Sequence, residues 1–275
     1  MTFDSHELRP LTVRAPLDDY LRALWARRQF MFLMPLYELR ARNMNNVLGH
    51  TWFVLNPLLQ VGVYYLFFGL IVGTNRGIDN FITFLAAGVF SYSYIQRTVT
   101  GASRSLVNNI SLLRAFRFPT VLIPISDGIS QAMAHVPVIL VLFLVAVITG
   151  ERPHFSWLLI PFLTLLQGLF ALGLGLAVAR LTDIMRDVQS FLPFVFRLVF
   201  YMSGVLYSVE VFVSDETILQ LFHLNPFYDH IELLRAALFG QTPNGLAVVG
   251  VFVSVVVAIP LGFVLFRRGE PYGGK

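Results

Sequence analysis

Long apolar stretches separated by short polar segments dominate this sequence. Six such stretches lie near Phe53–Gly73, Phe81–Thr100, Thr120–Ile148, Trp157–Ala179, Ser190–Val209 and Leu246–Phe266. As a helix of ~1.5 Å rise per residue, each is long enough to cross a hydrocarbon core of ~30 Å. Helices are expected because lipid offers no hydrogen-bond partner to an open sheet edge. The pattern predicts an all-α integral membrane protein with six transmembrane helices, the third of them broken by Pro124 and Pro137.

The segment before the first span has an amphipathic pattern. Leu17, Leu21 and Leu24 share one helical face, and the charged residues lie elsewhere. This arrangement predicts an N-terminal amphipathic helix at the membrane interface, with Trp25 at headgroup level and a kink or break at Pro35. A solvated N-terminal arm is the alternative.

The connection between the fifth and sixth spans is too apolar for a free loop and too short for another crossing. Asn225-Pro226 divides residues 214–240 into two short pieces, and Gly240 is a plausible helix C-cap. The pattern predicts two short re-entrant helices on the outer side, with an ordinary extracellular cap as the alternative. The chain then divides into a cytoplasmic interfacial segment (1–52), a six-span transmembrane domain (53–266) and a cytoplasmic tail (267–275).

Composition and the distribution of charge support a membrane location and give an orientation. Hydrophobic residues make up 56% of the chain and charged residues 13%, against roughly 25% charged in a soluble domain. Arginine and lysine cluster in the N-terminal segment, the second and fourth loops and the tail, so both termini are predicted to be cytoplasmic. The net charge of +4 needs no nucleic acid to explain it.

Several kinds of chemistry are excluded by the residues present. The chain has no cysteine and a single lysine, Lys275, so it has no thiolate metal site and no P-loop. A His-Glu-x-x-His helix and a Gly-x-Ser-x-Gly elbow are also absent. No catalytic residue, metal site or cofactor is therefore predicted on this chain, and any ATP hydrolysis belongs to another polypeptide.

The segment 104–119, between the second and third spans, is short, basic and amphipathic. Such a loop suits docking to a soluble partner through apolar anchors, with arginines fixing the register. The predicted docking residues are Leu112, Leu113, Arg114, Phe116, Arg117, Phe118 and Pro119. An interfacial anchor that follows the positive-inside rule is the alternative.

Several motifs, in order along the chain, resemble those of one transporter family. They are Val47–Leu59 at the entry to span one, Asn109–Leu113 with Phe118-Pro119, Arg186-Asp187, Ser203–Tyr207, and Leu224-Asn225-Pro226 followed by Arg235. The chain resembles ABC-2 type transporter permeases, most closely the polysaccharide and polyol phosphate exporters. It departs from their pattern at Thr120, where a basic residue is usual, and at Gly204, where proline is common.

The resemblance implies the membrane half of an ATP-driven exporter for a lipid-linked polysaccharide. It implies a homodimer in the cytoplasmic membrane with two copies of a separate P-loop ATPase, which would bind ATP and Mg²⁺. Asn225 and Pro226 would belong to an outer gate. The alternatives are an ABC-2 permease for a small drug or lipid, a proton-coupled secondary transporter, and a membrane-embedded enzyme.

Aromatic residues are 14% of the chain and are frequent in spans one, two and five. Because sugar rings stack on aromatic rings through their C–H faces, some of these residues are predicted to line a glycan pathway. The candidates are Tyr64, Phe68, Tyr92, Tyr94, Phe196, Phe200 and Tyr207. Ordinary lipid-facing or interfacial aromatics are the alternative.

Two arginines lie within or near the ends of predicted spans. Arg97 and Arg197 could attract the diphosphate of a lipid-linked substrate, or could reach the interface by snorkelling. Asp127, Gln131 and His135 form a polar stripe on span three, which suits interhelical hydrogen bonding or, in a secondary transporter, a proton relay.

Overall fold

The computed structural model describes residues 16–42, 48–73, 77–115, 118–213 and 215–269, which form helices and their connections and no strand. Residues 1–15 of the predicted interfacial segment and residues 270–275 of the predicted tail lie outside the described residues. The α-helices are α1 (Leu17–Ala26), α2 (Arg28–Arg42), α3 (Trp52–Tyr64), α4 (Phe81–Asn108), α5 (Ile110–Ala115), α6 (Leu122–Ile148), α7 (Ile160–Ile184), α8 (Val188–Met202), α9 (Val209–Phe212), α10 (Glu216–Phe222), α11 (Pro226–Phe239) and α12 (Gly245–Gly269). A π-helical segment, Tyr65–Ile71, continues α3.

Within the described residues, four helical segments are long and apolar enough to cross a membrane. They are Trp52–Ile71, Leu122–Ile148, Phe155–Ile184 and Gly245–Gly269. The other two predicted spans coincide with α4, which has 28 residues but is more polar, and with α8, which is apolar but has only 15 residues. The all-α membrane architecture is confirmed, whereas the count of six crossings stays a prediction.

The predicted breaks within helices and the predicted end of the fifth span differ from the structure. Helix α6 is continuous, because Pro124 lies in its first turn, where a missing N–H costs nothing, and Pro137 is accommodated within it. Pro35 lies inside α2, so the chain does not break there, and a kink at Pro35 stays a prediction; the break is at Arg27, between α1 and α2. Helix α8 ends at Met202 rather than near Val209, because Gly204 adopts a left-handed φ of 59°.

Helix α4 is the centre of the bundle. It packs against α3, α6, α7, α8 and α11, and most of its side chains from Phe81 to Tyr92 are buried. Its C-terminal end meets the start of α6 and the ends of α7 and α12. Arg104, Arg180 and Arg186 lie at this end of the bundle, which is called the basic end. At the opposite end, the Asn80 side chain binds Thr149 and Glu151 beyond α6.

Helices α7 and α12 touch through their backbones. A Cβ atom placed on Gly173 would lie 2.5 Å from the backbone carbonyl carbon of Ala258, and one on Gly262 would lie 2.0 Å from the Gly173 oxygen. Small residues permit this approach in lipid, where close van der Waals packing drives helix association.

At the end of the bundle opposite the basic end, α10 and α11 form the predicted pair of short helices. Asn225 caps α11 by accepting from the Phe227 N–H at 3.1 Å, Pro226 follows as its first residue, and Gly240 ends it with φ 65°. Helix α11 is largely buried among α4, α7 and α12, whereas α10 has no buried residue. The helix pair is confirmed, and its depth in the membrane stays a prediction.

Arg235 of α11 fastens this pair to the rest of the bundle. Its guanidinium donates to the carbonyls of Gly204 and Val205 at 2.8 Å each and to the Phe84 carbonyl at 3.2 Å. Its Cζ atom lies 3.4 Å from the centroid of the Phe84 ring. Residues 203–206 form a buried turn, so Arg235 supplies donors to carbonyls that water and lipid cannot serve.

We expect Gly173→Ala to lower the free energy of unfolding by about 1–3 kcal/mol, because the added methyl group meets backbone atoms that cannot rotate away. Gly62→Ala is the matched control, since nothing lies within 4 Å of a Cβ at that position. Thermal unfolding of the two purified variants in detergent measures the difference. Equal stability of the two variants would contradict the close approach of α7 and α12.

Arg235→Met should destabilise the protein by about 3 kcal/mol or more, because it leaves the buried carbonyls of Gly204 and Val205 without the guanidinium donors. Arg235→Lys should be less harmful than Arg235→Met, since it keeps a charged donor but loses the planar fork. The same measurement on Arg152→Gln, which removes an exposed arginine at the same end, should show a change within about 0.5 kcal/mol. A stable Arg235→Met variant would show that the turn finds its donors elsewhere.

Candidate functional site

The predicted docking segment starts with a short helix at the basic end. Helix α5 follows α4 almost directly, with the Leu113 N–H donating to the Asn109 carbonyl at 3.0 Å. Ile110 and Ser111 are exposed, and Leu112 and Leu113 are half-buried. The ring of Phe118 lies 5.4 Å from that of Phe30 in α2, and Pro119 precedes α6. Phe116 and Arg117 lie outside the described residues, as does the side chain of Arg114.

A shallow groove of about 140 Å³ separates α5 from the ends of α7 and α12. Leu113 and Ile110 line one wall, and Arg180 and Arg186 line the other. Helix α5 therefore lies beside the ends of α7 and α12, across this groove, and its packing contact is with α4. Ile110 was not among the predicted docking residues, although it lies three residues before Leu113 on the same helix.

A larger polar cavity of about 490 Å³ lies at the basic end between α3, α4 and α6. This polar cavity is lined by the side chains of Trp52, Phe53, Asn56, Arg97, Arg104, Asn108, Asp127 and Gln131, among others. The sequence predicted a loop from Arg104 onward, but α4 continues to Asn108. Arg97, Arg104 and Asn108 consequently follow one another along one helical face. This spacing of seven and four residues is visible in the sequence once the helix is extended.

The polar stripe on α6 is divided by its surroundings. Asp127 and Gln131 line the polar cavity, whereas His135 is buried and stacks on Tyr94 with the ring centroids 4.2 Å apart. Neither ring nitrogen of His135 has a hydrogen-bond partner among the described residues. This geometry does not favour a proton relay from Asp127 through His135.

Five of the predicted pathway aromatics gather in one region. Tyr92 lies 5.1 Å from Phe200 and 6.3 Å from Phe196 between ring centroids, and Tyr64 lies 5.4 Å from Phe200 and 6.4 Å from Phe68. The Tyr92 hydroxyl also donates to the Phe196 carbonyl.

In this single chain the gathered rings belong to the protein interior. Tyr92, Phe196 and Phe200 are buried, and Tyr64 and Phe68 lie half-buried at the edge. The aromatic cluster is defined here as these five rings together with Phe170 and Phe227, which contact it from α7 and α11.

The remaining two predicted aromatics lie elsewhere. Tyr94 is buried against His135, on the side of α4 that faces α6 and α7. The Tyr207 hydroxyl donates to the Tyr201 carbonyl at 3.0 Å, and the Tyr207 ring packs on Phe212. A role for any of these side chains in a pathway stays a prediction.

The opposite face of α8 is exposed, and of its residues the sequence analysis singled out only Arg197. Phe191, Phe194, Arg197 and Tyr201 recur at helical spacing on this face, and the three aromatic side chains are more than half exposed. Arg197 and Tyr201 lie close enough to Tyr64 of α3 to interact with it electrostatically. Arg197 is therefore separate from Arg97, and the two arginines do not form one site.

The Asn225-Pro226 junction is tied to the end of α8. The Asn225 amide donates to the Ser203 hydroxyl at 2.9 Å. Asp215 caps α10, and the N–H of Thr217 donates to its carboxylate at 2.8 Å, which holds the pKa of Asp215 below its usual range. The tethered end of the helix pair is thus α11, and α10 is the exposed part.

A cluster of possible metal ligands links these two helices. His223, Asp229 and Glu232 bring one ligand atom each within 4.8 Å of one another, although no metal site was predicted. Nδ1 of His223 lies 2.6 Å from an Asp229 oxygen, and Nε2 lies 3.2 Å from the Asn244 amide. These distances are those of hydrogen bonds, so the trio is explained as a polar link between α10, α11 and the start of α12.

Comparison with known proteins agrees with this architecture. Residues 36–239, well over half of the chain, match the family model described as ABC-2 type transporter. The chain is 25% identical over 232 residues to the O-antigen export system permease protein RfbA of Klebsiella pneumoniae, covering 84% of this chain and 88% of the relative. It is 26% identical over 221 residues to the protein of the same name from Myxococcus xanthus, covering 76% and 84%. The chain belongs to the ABC-2 type transporter family.

Proposed function

We propose that this chain is the membrane-spanning subunit of an ATP-driven exporter that carries a lipid-linked polysaccharide across the cytoplasmic membrane. The observation that carries the proposal is the similarity over most of the chain to permeases named for O-antigen export. The proposed working unit is a homodimer with two copies of a separate P-loop ATPase, which binds ATP and Mg²⁺. A two-fold assembly is the default for such a pair of half-transporters.

The proposed topology has six crossings, with α4 and α8 as the second and fifth. The arginines of the basic end support its cytoplasmic placement, since positive residues accumulate on that side. Helix α1 supports an interfacial position there, because Tyr20 and Leu24 pack toward Phe263 of α12 while Leu17, Leu21 and Trp25 are exposed. Both termini would then be cytoplasmic.

The proposed ATPase contact is α5 with the segment that follows it as far as Pro119. Its direct continuation from α4 supports a role in transmitting motion, and its Ile110 and Leu113 line a groove that faces the ends of α7 and α12. Movement of the ATPase dimer would displace α5 and thereby the end of α4, the most widely connected helix of the bundle. The apolar anchors would supply affinity, and the arginines would set orientation.

The proposed pathway runs along the exposed face of α8 and the neighbouring face of α3. Aromatic rings at helical spacing, with Arg197 between them, offer a glycan both stacking surfaces and a hydrogen-bond donor. A second copy of the chain facing this surface would enclose the pathway. At the outer side, α10 is the proposed moving part of the gate, because α11 is held by Arg235 and the Asn225-Pro226 junction by Ser203.

Replacing Leu113 and Phe116 together by alanine should abolish ATPase binding, since hot-spot anchors contribute about 2 kcal/mol or more each. If the two contributions add, that corresponds to a loss of roughly a thousandfold in affinity. Co-purification of the tagged chain from its native membrane, followed by counting of any bound P-loop ATPase, measures the effect. The expected ratio for the unaltered chain is one to one.

The matched control is Phe155→Ala with Leu158→Ala. These are also one Phe and one Leu, both well exposed, in the connection between α6 and α7 at the opposite end. This control should retain the ATPase. Retention of the ATPase by the Leu113/Phe116 variant would refute the docking surface, and purification of an active exporter without any ATPase would refute the proposed function.

A further inference from the structure

We propose that the polar cavity between α3, α4 and α6 binds the phosphate or diphosphate headgroup of a lipid-linked glycan, with Arg97 and Arg104 as its cationic contacts. The inference deepens the proposed function and rests on it for the identity of the ligand. The cavity volume of about 490 Å³ falls within the ~300–1,000 Å³ of small-molecule sites. A lipid phosphate with its first sugar is a ligand of this order.

The two arginines have donors to spare. Arg97 donates through Nε to the Ser93 carbonyl at 3.2 Å, and no carboxylate lies within salt-bridge distance of it among the described residues. Arg104 lies seven residues further along the same face of α4. It is exposed and lines the same cavity. Guanidinium groups bind phosphate oxygens through paired N–H donors, and they keep their charge at any physiological pH. Two of them spaced along one helix suit an extended anion.

A single buried carboxylate opposes them. Asp127 of α6 lies against Gly101 of α4, where a Cβ would sit 2.1 Å from the Asp127 oxygen. Gly101 falls between Arg97 and Arg104, so its missing side chain lets the carboxylate approach the same strip of α4. The formal charge of the three side chains remains +1. Asp127 would therefore weaken the hold on an anion and leave it releasable, as transport requires.

The depth of the cavity fits a lipid headgroup. Counting ~1.5 Å per residue from Phe81, Arg97 lies ~24 Å and Arg104 ~35 Å along α4. The hydrocarbon core is ~30 Å thick, so the two arginines span its boundary on the basic side. A phosphate attached to a membrane lipid reaches this level without leaving the interface.

The other walls suit the sugar next to the phosphate. Trp52 contributes an aromatic face, and Asn56 and Asn108 contribute amides that can both donate and accept. An aromatic surface beside amides is the surface that a hexose with apolar C–H faces and hydroxyl groups requires. Arg197, by contrast, lies on the exposed face of α8, away from these groups.

The test uses the full-length chain in neutral-lipid nanodiscs with geranylgeranyl diphosphate as the probe, read out by tryptophan fluorescence. Trp52 lines the cavity, so the signal should disappear in Trp52→Phe. Arg97→Gln should raise Kd about tenfold, the loss expected for one charge-assisted contact. Arg104→Gln, at an exposed position that tolerates substitution, should also raise Kd severalfold. Asp127→Asn should lower Kd.

Arg152→Gln is the control, because it removes an exposed arginine outside both the cavity and the docking groove; its Kd should equal that of the unaltered chain. Unchanged binding in both Arg97→Gln and Arg104→Gln, or a loss seen only in Arg197→Gln, would overturn the proposal. Weaker binding in Asp127→Asn would overturn the charge argument.

Two further probes distinguish the sources of the phosphate. Inorganic diphosphate that binds as tightly as the prenyl diphosphate would assign the site to a soluble anion and overturn the lipid-linked ligand. Phosphatidylglycerol can be included in the nanodisc lipid as a competitor. If it displaces geranylgeranyl diphosphate as strongly as the prenyl diphosphate itself does, selectivity for the carrier lipid is overturned. Because no ATPase is present, the measurement is independent of the docking test, so either proposal can fail while the other stands.

Discussion

A membrane bundle buries an irregular turn at low cost when the carbonyls in it find donors within the protein, and Arg235 supplies such donors here. Its guanidinium serves two carbonyls of the turn after α8 and one of α4. Gly88 makes this possible, because a Cβ there would lie 2.5 Å from the guanidinium nitrogen. The arginine thus joins α4, α8 and α11 at one point. The position of the helix pair α10–α11, and with it the proposed gate, depends on this contact, since a buried polar group without a partner is costly.

Helix α4 relates the proposed functional parts to one another. Its C-terminal half carries the arginines of the polar cavity, α5 continues from its end, and its N-terminal half receives Arg235 through the Phe84 carbonyl. Coupling between distant sites requires contiguous packed elements that both sites can bias. A long buried helix with contacts at both ends is such an element. In this view the proposed docking segment, the proposed headgroup site and the outer helix pair are all connected to one helix, α4.

The sequence predicted the features that lipid and backbone chemistry dictate, but it could not predict which way side chains face. The helices follow from apolar length, and the caps of α11 follow from Asn225, Pro226 and Gly240, whose backbone preferences are local. The end of α4 was missed because hydropathy falls after Thr100, although the helix continues where Arg104 and Asn108 line a cavity. Phe194 and Phe196 are equally apolar, and only packing decides that the first is exposed and the second buried. The contact of Gly173 with α12 likewise depends on which helices become neighbours.

The aromatic cluster has a mechanical consequence. Edge-to-face and tilted ring pairs join α3, α4, α7, α8 and α11, and separating each pair costs about 0.5–1.5 kcal/mol beyond the loss of buried area. A split through the middle of the chain's helix bundle would break several of these pairs at once, whereas a split along its exposed flank would break none. The chain should accordingly move as a stiff body, and in the proposed homodimer a polymer would pass along the boundary between two such bodies.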